Sequence, residues 1–372
     1  MGKWKIVAFD EVLTIINGKN QKQVENPSGK YPIYGSGGVM GYADDYLCEA
    51  NTVVIGRKGT INRPIFVEEP FWNVDTAFGL CAKNILHPKY LFYFCEQFDF
   101  ETLNTTVTIP SLTKANLLKI KIPLPPLPVQ QQIADALDCA SALIEKRKAQ
   151  IEKLDLLVKS QFIEMFGDPV TNPMGWGVQS LKDICTKLTD GTHFSPESYQ
   201  SGDYMYITAK NIKPGGLDFS NITYVKTDVH NQIYARCNPE CGDVLYIKDG
   251  VTTGIAIVNT LQEPFTMLSS VALLKQNRLI VTGEYLCGVL NNKNMYSAIR
   301  GNMGGAAITR LTIAKLNKVE LPIPPITLQT QFADFVQQVE AQKSLLQQSL
   351  AKLEKNYKSL MQKCFKGEMF NE

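Results

Sequence analysis

At 372 residues, 44% hydrophobic and 20% charged, the chain is long enough for two or three compact domains, which excludes a small stapled scaffold and a disorder-dominated polypeptide. Nine scattered cysteines, an N-terminus (Met1-Gly2-Lys3-Trp4) with no apolar signal stretch, and no run near the ~18 apolar residues of a membrane span point to a soluble protein of a reducing cytoplasm, with no membrane partner. The net charge of +2 neither supports nor excludes a polyanionic partner, so what matters is how Lys and Arg are distributed.

The first segment, 1–126, opens on Trp4 and carries short β-rich runs such as Thr52-Val53-Val54-Ile55-Gly56, each followed by a Gly-containing loop. Tyr34-Gly35-Ser36-Gly37-Gly38 contains a G-x-G without the spacing of a dinucleotide fold, so Ser36 and Gly37 belong to a flexible turn or a DNA-facing loop. Gly56-Arg57-Lys58-Gly59-Thr60 lacks the residue order of a phosphate loop. Arg57, Lys58 and Asn62 are the residue types that read phosphates and base edges, Arg on guanine and Asn on adenine, and are equally ordinary in hairpins.

The segment 127–167 is predicted to be one long helix, entered through the Pro-rich turn Pro123-Leu-Pro125-Pro126. Ile133, Leu137, Ala140, Ile144, Arg147, Ile151, Leu154 and Val158 step by alternating fours and threes, a heptad seam. About 38 residues at 1.5 Å each give a helix of roughly 57 Å, and one apolar stripe that long needs a partner.

A linker near Gly167-Asp168-Pro169 leads into a second segment, 168–325, again opening on a Trp, Trp176, and again β-rich at Asp243-Val244-Leu245-Tyr246-Ile247. Candidate DNA-facing residues here are His193, Lys210, Asn211, Lys248, Asp249, Thr252, Thr253 and Asn302. The cations Arg57-Lys58, Lys210, Arg236, Lys248 and Arg300 are all expected in irregular segments outside helices. Cys237-x-x-x-Cys241, with His230 upstream, falls short of a four-ligand metal set, and three histidines in unrelated contexts give a nucleophile–base triad nothing to build on. The pairs Asn26-Pro27, Asn172-Pro173 and Asn238-Pro239 lack the Pro-Tyr/Phe continuation of an adenine methyltransferase motif, and no catalytic residue or metal ligand is identified. The last segment, 326–372, repeats the seam as Phe332, Val336, Val339, Lys343, Leu346, Leu350, Leu353 and Tyr357. The two helices are expected to pair with each other rather than each packing on its own domain, with Arg147 and Lys343 as polar seam positions that help fix register.

The two halves are copies. Residues 109–135 align without a gap on 308–334 at a constant shift of 199, and the register continues through both helices to pair Phe166 with Phe365. Trp4 to Val12 resembles Trp176 to Ile184, and Tyr90-Leu91 resembles Tyr285-Leu286.

The duplicated Pro-x-Pro-Pro-x-x-x-Gln-x-x-Ile/Phe-Ala-Asp block (Pro123 to Asp135 and Pro322 to Asp334), its long helix and the two Trp-led variable segments resemble the specificity (S) subunit of type I restriction-modification enzymes. Phe332, Val129 and Leu328 depart slightly from the family's usual residues. The resemblance implies an α+β chain in which two mixed α/β target recognition domains with β-rich cores are separated by two long helices forming an antiparallel intramolecular coiled coil. It also implies a non-catalytic subunit that reads an asymmetric bipartite site in double-stranded DNA. The implied partners are two modification (methyltransferase) subunits and restriction (endonuclease/translocase) subunits, with S-adenosylmethionine, ATP and Mg on those partners and none on this chain. The competing readings are a coiled-coil scaffold whose domains bind protein and an atypical DNA methyltransferase.

Overall fold

The computed structural model describes residues 4–104, 109–301 and 311–370. The chain divides into two compact units, 1–149 with 347–372 and 150–346. Among the described residues no helix is long and apolar enough to cross a membrane.

In the first unit, β1 (Lys5–Ala8), the single turn α1 (Phe9–Val12) and β2 (Leu13–Asn17) lead to the hairpin β3 (Tyr31–Gly35) and β4 (Gly38–Ala43). There follow β5 (Thr52–Gly56), β6 (Ile65–Val67), β7 (Trp72–Asn73), β8 (Ala77–Ala82), α2 (Pro88–Gln97), α3 (Lys114–Leu117), β9 (Lys121–Leu124) and the start of α4 (Leu127–Phe166). One sheet has the order β2-β8-β5-β6, a second β4-β3-β7, and β1 pairs with β9. The run Thr-Val-Val-Ile-Gly of β5 is buried along its whole length, which explains why it shows no alternation: it is an inner strand covered on both faces. Helix α2 covers this sheet with Tyr90, Leu91 and Phe94.

The second unit repeats that frame. It runs β10 (Gly177–Ser180), α5 (Leu181–Ile184), β11 (Cys185–Asp190), β12 (Tyr204–Ile207), β13 (Ile212–Lys213), β14 (Gly216–Leu217), β15 (Thr223–Val225), α6 (Thr227–Tyr234), β16 (Val244–Ile247), β17 (Ala256–Val258), β18 (Thr266–Met267) and β19 (Val271–Gln276). It closes with α7 (Gly283–Leu290), α8 (Lys293–Gly301), α9 (Ile313–Leu316), β20 (Glu320–Ile323) and the first half of α10 (Ile326–Lys366). Sheets β11-β19-β16-β17 and β15-β12-β18 and the ribbon β10-β20 correspond one for one to those of the first unit. Helix α6 and the ribbon β13-β14 are additions. Arg300, expected in an irregular segment, instead lies in α8, which forms because Met295 and Ile299 give it a buried face.

The residues common to both repeats turn out to be joints. Gln130, fully buried, accepts from the His87 N–H (2.7 Å) and donates to Ile85 O (3.1 Å) and Pro125 O (2.8 Å). Its counterpart Gln329 accepts from the Thr282 N–H (3.0 Å) and donates to Ile280 O (3.0 Å) and Pro324 O (2.8 Å). Each amide thereby ties the first turn of a long helix to the loop before α2 or α7, and leaving those groups unpaired costs about 1–3 kcal/mol. Tyr90 donates to Pro123 O (2.8 Å) and packs on Phe365 (4.9 Å between ring centroids). Tyr285 does the same with Pro322 O (2.6 Å) and Phe166 (4.7 Å).

The seams lie where the period places them. In the first unit Ile133, Leu137 and Ile144 are buried, Leu350, Leu353 and Tyr357 are half-buried, and Ile133 and Leu137 share a core with Met361 and Cys364. The first turns of α4 therefore lie beside the last turns of α10, an antiparallel pair. In the second unit Phe332 and Val339 are buried, Ile151, Leu154, Val158, Val336 and Leu346 are half-buried, and Phe332 meets Phe162 at 5.6 Å. Lys343 is 5% exposed and reaches Asp155 on the facing helix at 2.5 Å, a polar seam contact that favours one register. The helices have 40 and 41 residues, slightly more than expected.

Candidate nucleic-acid interface

Each unit carries a loop after its inner strand, and both loops are held by the same main-chain clamp. In the first unit the Arg57 N–H donates to Thr76 O (2.7 Å) and Arg57 O accepts from the Leu112 N–H (2.9 Å). In the second the Lys248 N–H donates to Ser270 O (2.9 Å) and Lys248 O accepts from the Leu311 N–H (3.0 Å). Leu112 and Leu311 are the same position of the repeat. Arg57 and Lys248 are thus structural equivalents, a relation that divergent loop lengths hide in the sequence.

Their side chains go opposite ways. Arg57 and Lys58 are exposed, with the Arg57 guanidinium 5.8 Å from the Phe78 ring centre. A Cβ at Gly56 would lie 2.1 Å from Thr60 O and 3.0 Å from Ser36 Cβ, so glycine there lets the β3–β4 turn close on the loop. Ser36, Gly37, Arg57 and Lys58 are in this way brought to one surface, edged by Val39 and Met40, both more than half exposed. Asn62 stands apart from it. Its amide donates to Asp99 (2.9 Å) and accepts from the Phe100 N–H (2.7 Å), so its hydrogen-bonding groups serve the fold.

Lys248 is 4% exposed, its ammonium 2.8 Å from Asp249 and 3.4 Å from Asp190. Asp190 is itself buried and also receives His193 Nε2 (3.1 Å) and Arg236 Nη1 (3.2 Å). Buried charges persist only when paired, and removing one partner typically costs about 3–5 kcal/mol. Lys248 therefore acts as an internal strut rather than a phosphate ligand, while His193 and Arg236 remain half or more exposed above it. The strut supports a loop in which Val251 and Thr252 are exposed and Thr253 is turned inward, its hydroxyl donating to Gly250 O at 2.6 Å.

Lys210 is exposed in a turn tied to the same region by the Ala209 N–H, which donates to Ser270 Oγ at 3.3 Å. Its neighbour Asn211 is buried, accepting from the Thr208 N–H (3.0 Å) and donating to Asp218 O (3.2 Å). Asn302 lies outside the described residues. Neither Asp190 nor Arg236 stands out as a site residue on sequence grounds alone. The hint was the polar run Asp190-Gly191-Thr192-His193, and its meaning depends on Arg236 and Lys248 arriving from distant segments.

Comparisons with known proteins agree on one family. The sequence model described as "Type I restriction modification DNA specificity domain" matches residues 1–153 and 173–355. A putative type I restriction enzyme specificity subunit from Haemophilus influenzae is 23% identical over 350 residues, covering 91% of this chain and 87% of that protein. The MjaVIII specificity subunit from Methanocaldococcus jannaschii is 22% identical over 396 residues, covering 98% of this chain and 93% of the relative. The crystal structure of a type I restriction-modification S subunit from M. genitalium has the same fold, with a TM-score of 0.62 at 17% identity, covering 98% of this chain and 96% of that one.

Proposed function

Since the chain belongs to the type I restriction-modification DNA specificity family, we propose that it reads an asymmetric bipartite site in double-stranded DNA, each unit contacting one half-site through the loops around Arg57 or Lys248. The observation that carries this reading is the shared clamp with unlike contents: one frame, two chemically different surfaces. Ser36, Gly37, Arg57 and Lys58 serve the first half-site. His193, Lys210, Asp249, Thr252 and Asn302 serve the second, with Lys248, Thr253, Asn62 and Asn211 acting through the loops they brace.

The chain positions partners rather than performing chemistry: two modification subunits, which use S-adenosylmethionine, and restriction subunits, which use ATP and Mg. A stripe on the long helices supports paired docking. Gln132, Asp135, Ala142, Lys153 and Ser160 of α4 recur as Gln331, Asp334, Ala341, Lys352 and Ser359 of α10, and all ten are exposed. Their spacing of three, seven, eleven and seven keeps them on one line off the seam. Neither core packing nor the reading of unlike half-sites requires that identity, whereas two copies of one protein partner would. Each unit presents one set, assembled from the start of one helix and the end of the other.

Adding one heptad to each helix tests the reading. It lengthens each helix by about 10 Å, or about three base pairs at 3.4 Å per step. Methylation mapping should show a longer spacer and unchanged half-sites; altered half-sites with the old spacer contradict the proposal.

A further inference from the structure

Three donors from separate segments converge on the Asp190 carboxylate: His193 and Arg236 on one oxygen, and Lys248 on the other. The Arg236 guanidinium is held along one edge only. Nη1 donates to Thr189 Oγ1 (3.3 Å) and to Asp190 Oδ1 (3.2 Å), and Nη2 donates to the Gly191 carbonyl. The end bearing both terminal nitrogens thus faces the wall formed by residues 189–191. Nε–H and the second Nη2 hydrogen have no hydrogen-bond partner among the described residues, and half of the side chain is exposed.

The geometry points to Arg236 as a guanine-reading residue of the second unit, presenting Nε–H and Nη2–H to O6 and N7 in the major groove. This rests on the DNA-reading function proposed above. A base contact fits better than a phosphate contact for two reasons. The carboxylates of Asp190 and Asp249 offset the charges of Arg236 and Lys248, so little net charge remains to attract a phosphate. What the site retains is direction: three oxygen acceptors hold the fork in one orientation, and base recognition depends on direction more than phosphate binding does. Arg236 directly follows the segment of the added helix α6, so the reader comes with an element that the first unit lacks.

The test uses the full chain assembled with its methyltransferase partner and a library of duplexes randomised over the recognised site. The wild-type complex should require guanine at one position of one half-site. R236K, which keeps the charge and loses the fork, should relax that position roughly tenfold or more and leave the others intact. An unchanged motif, or an equal loss across all sequences, overturns the inference, the second result marking a phosphate contact or a purely structural pin. Should R236K fail to fold, 7-deazaguanine placed at each guanine of the site reads the same contact with wild-type protein. One position should then lose binding roughly tenfold, and the absence of any sensitive position overturns the inference. A wild-type complex that shows no motif at all rejects the underlying function instead.

Discussion

The two units set Arg57 and Lys248 in the same main-chain clamp and turn their side chains opposite ways. In the first, the cation after the inner strand is exposed. In the second it is buried between two carboxylates, and the exposed cation comes from Arg236, after the inserted α6. A frame position therefore fixes where the backbone goes, while the side chain's role depends on whether a carboxylate such as Asp190 lies beneath it. Asn17, which ends β2 as Asp190 ends β11, places no such charge under Arg57.

Alanine at each equivalent position separates the two arrangements most strongly. Lys248→Ala removes the buried ammonium that lies between Asp190 and Asp249 and should destabilise the chain by about 3–5 kcal/mol. Arg57→Ala, on the surface, should stay within about 0.5–1 kcal/mol of wild type. Denaturant unfolding of both variants measures the difference, and equal losses would mean that the burial contrast has no energetic content.

The joints should behave alike where the loops do not. Gln130→Ala and Gln329→Ala each leave an N–H and two carbonyls without their amide partner, and each should lose about 1–3 kcal/mol. If only one of the two variants is destabilised in the same unfolding experiment, the units do not share their frame in energetic terms.

A smaller effect centres on a buried histidine of the second unit. His230 is buried, stacked on Tyr204 at 3.7 Å and bonded to Thr266 at 2.9 Å, and desolvation lowers its pKa below the ordinary imidazole value. A histidine whose folded-state pKa is depressed contributes stability above its unfolded pKa, near 6.5, and that stability is lost as pH falls through this value toward the folded pKa. The unfolding midpoint should accordingly drop between about pH 7.5 and 5.5, and His230→Gln should flatten that slope. An unaltered slope in the variant would assign the acid sensitivity to other groups.

The seams were legible because a 3.5-residue period is a local property: Ile133 to Val158 and Phe332 to Tyr357 repeat over enough turns to declare a face. The Pro-Pro-x-x-x-Gln block was legible as a repeat but not as a joint, since the partners of Gln130 include Ile85 and His87, more than forty residues away. The candidate site was less readable. Ser36, Arg57 and Lys58 do come together, yet whether a polar loop residue faces outward or inward depends on tertiary neighbours. Asn211 caps its own turn, Asn62 braces Asp99, and Lys248 pairs with Asp190 from a strand that the sequence sets far away. Loop lysines are normally solvated, so burial of this one follows only once two carboxylates are known to flank it.

Two unlike surfaces on one frame should give two unlike half-sites. Sequencing the methylation sites in cells carrying this chain and its methyltransferase partner tests it most directly. The expected result is an asymmetric motif of two short specified blocks separated by unspecified bases, lost when the chain is removed. A palindromic or uninterrupted motif, or methylation that persists unchanged without this chain, would contradict it.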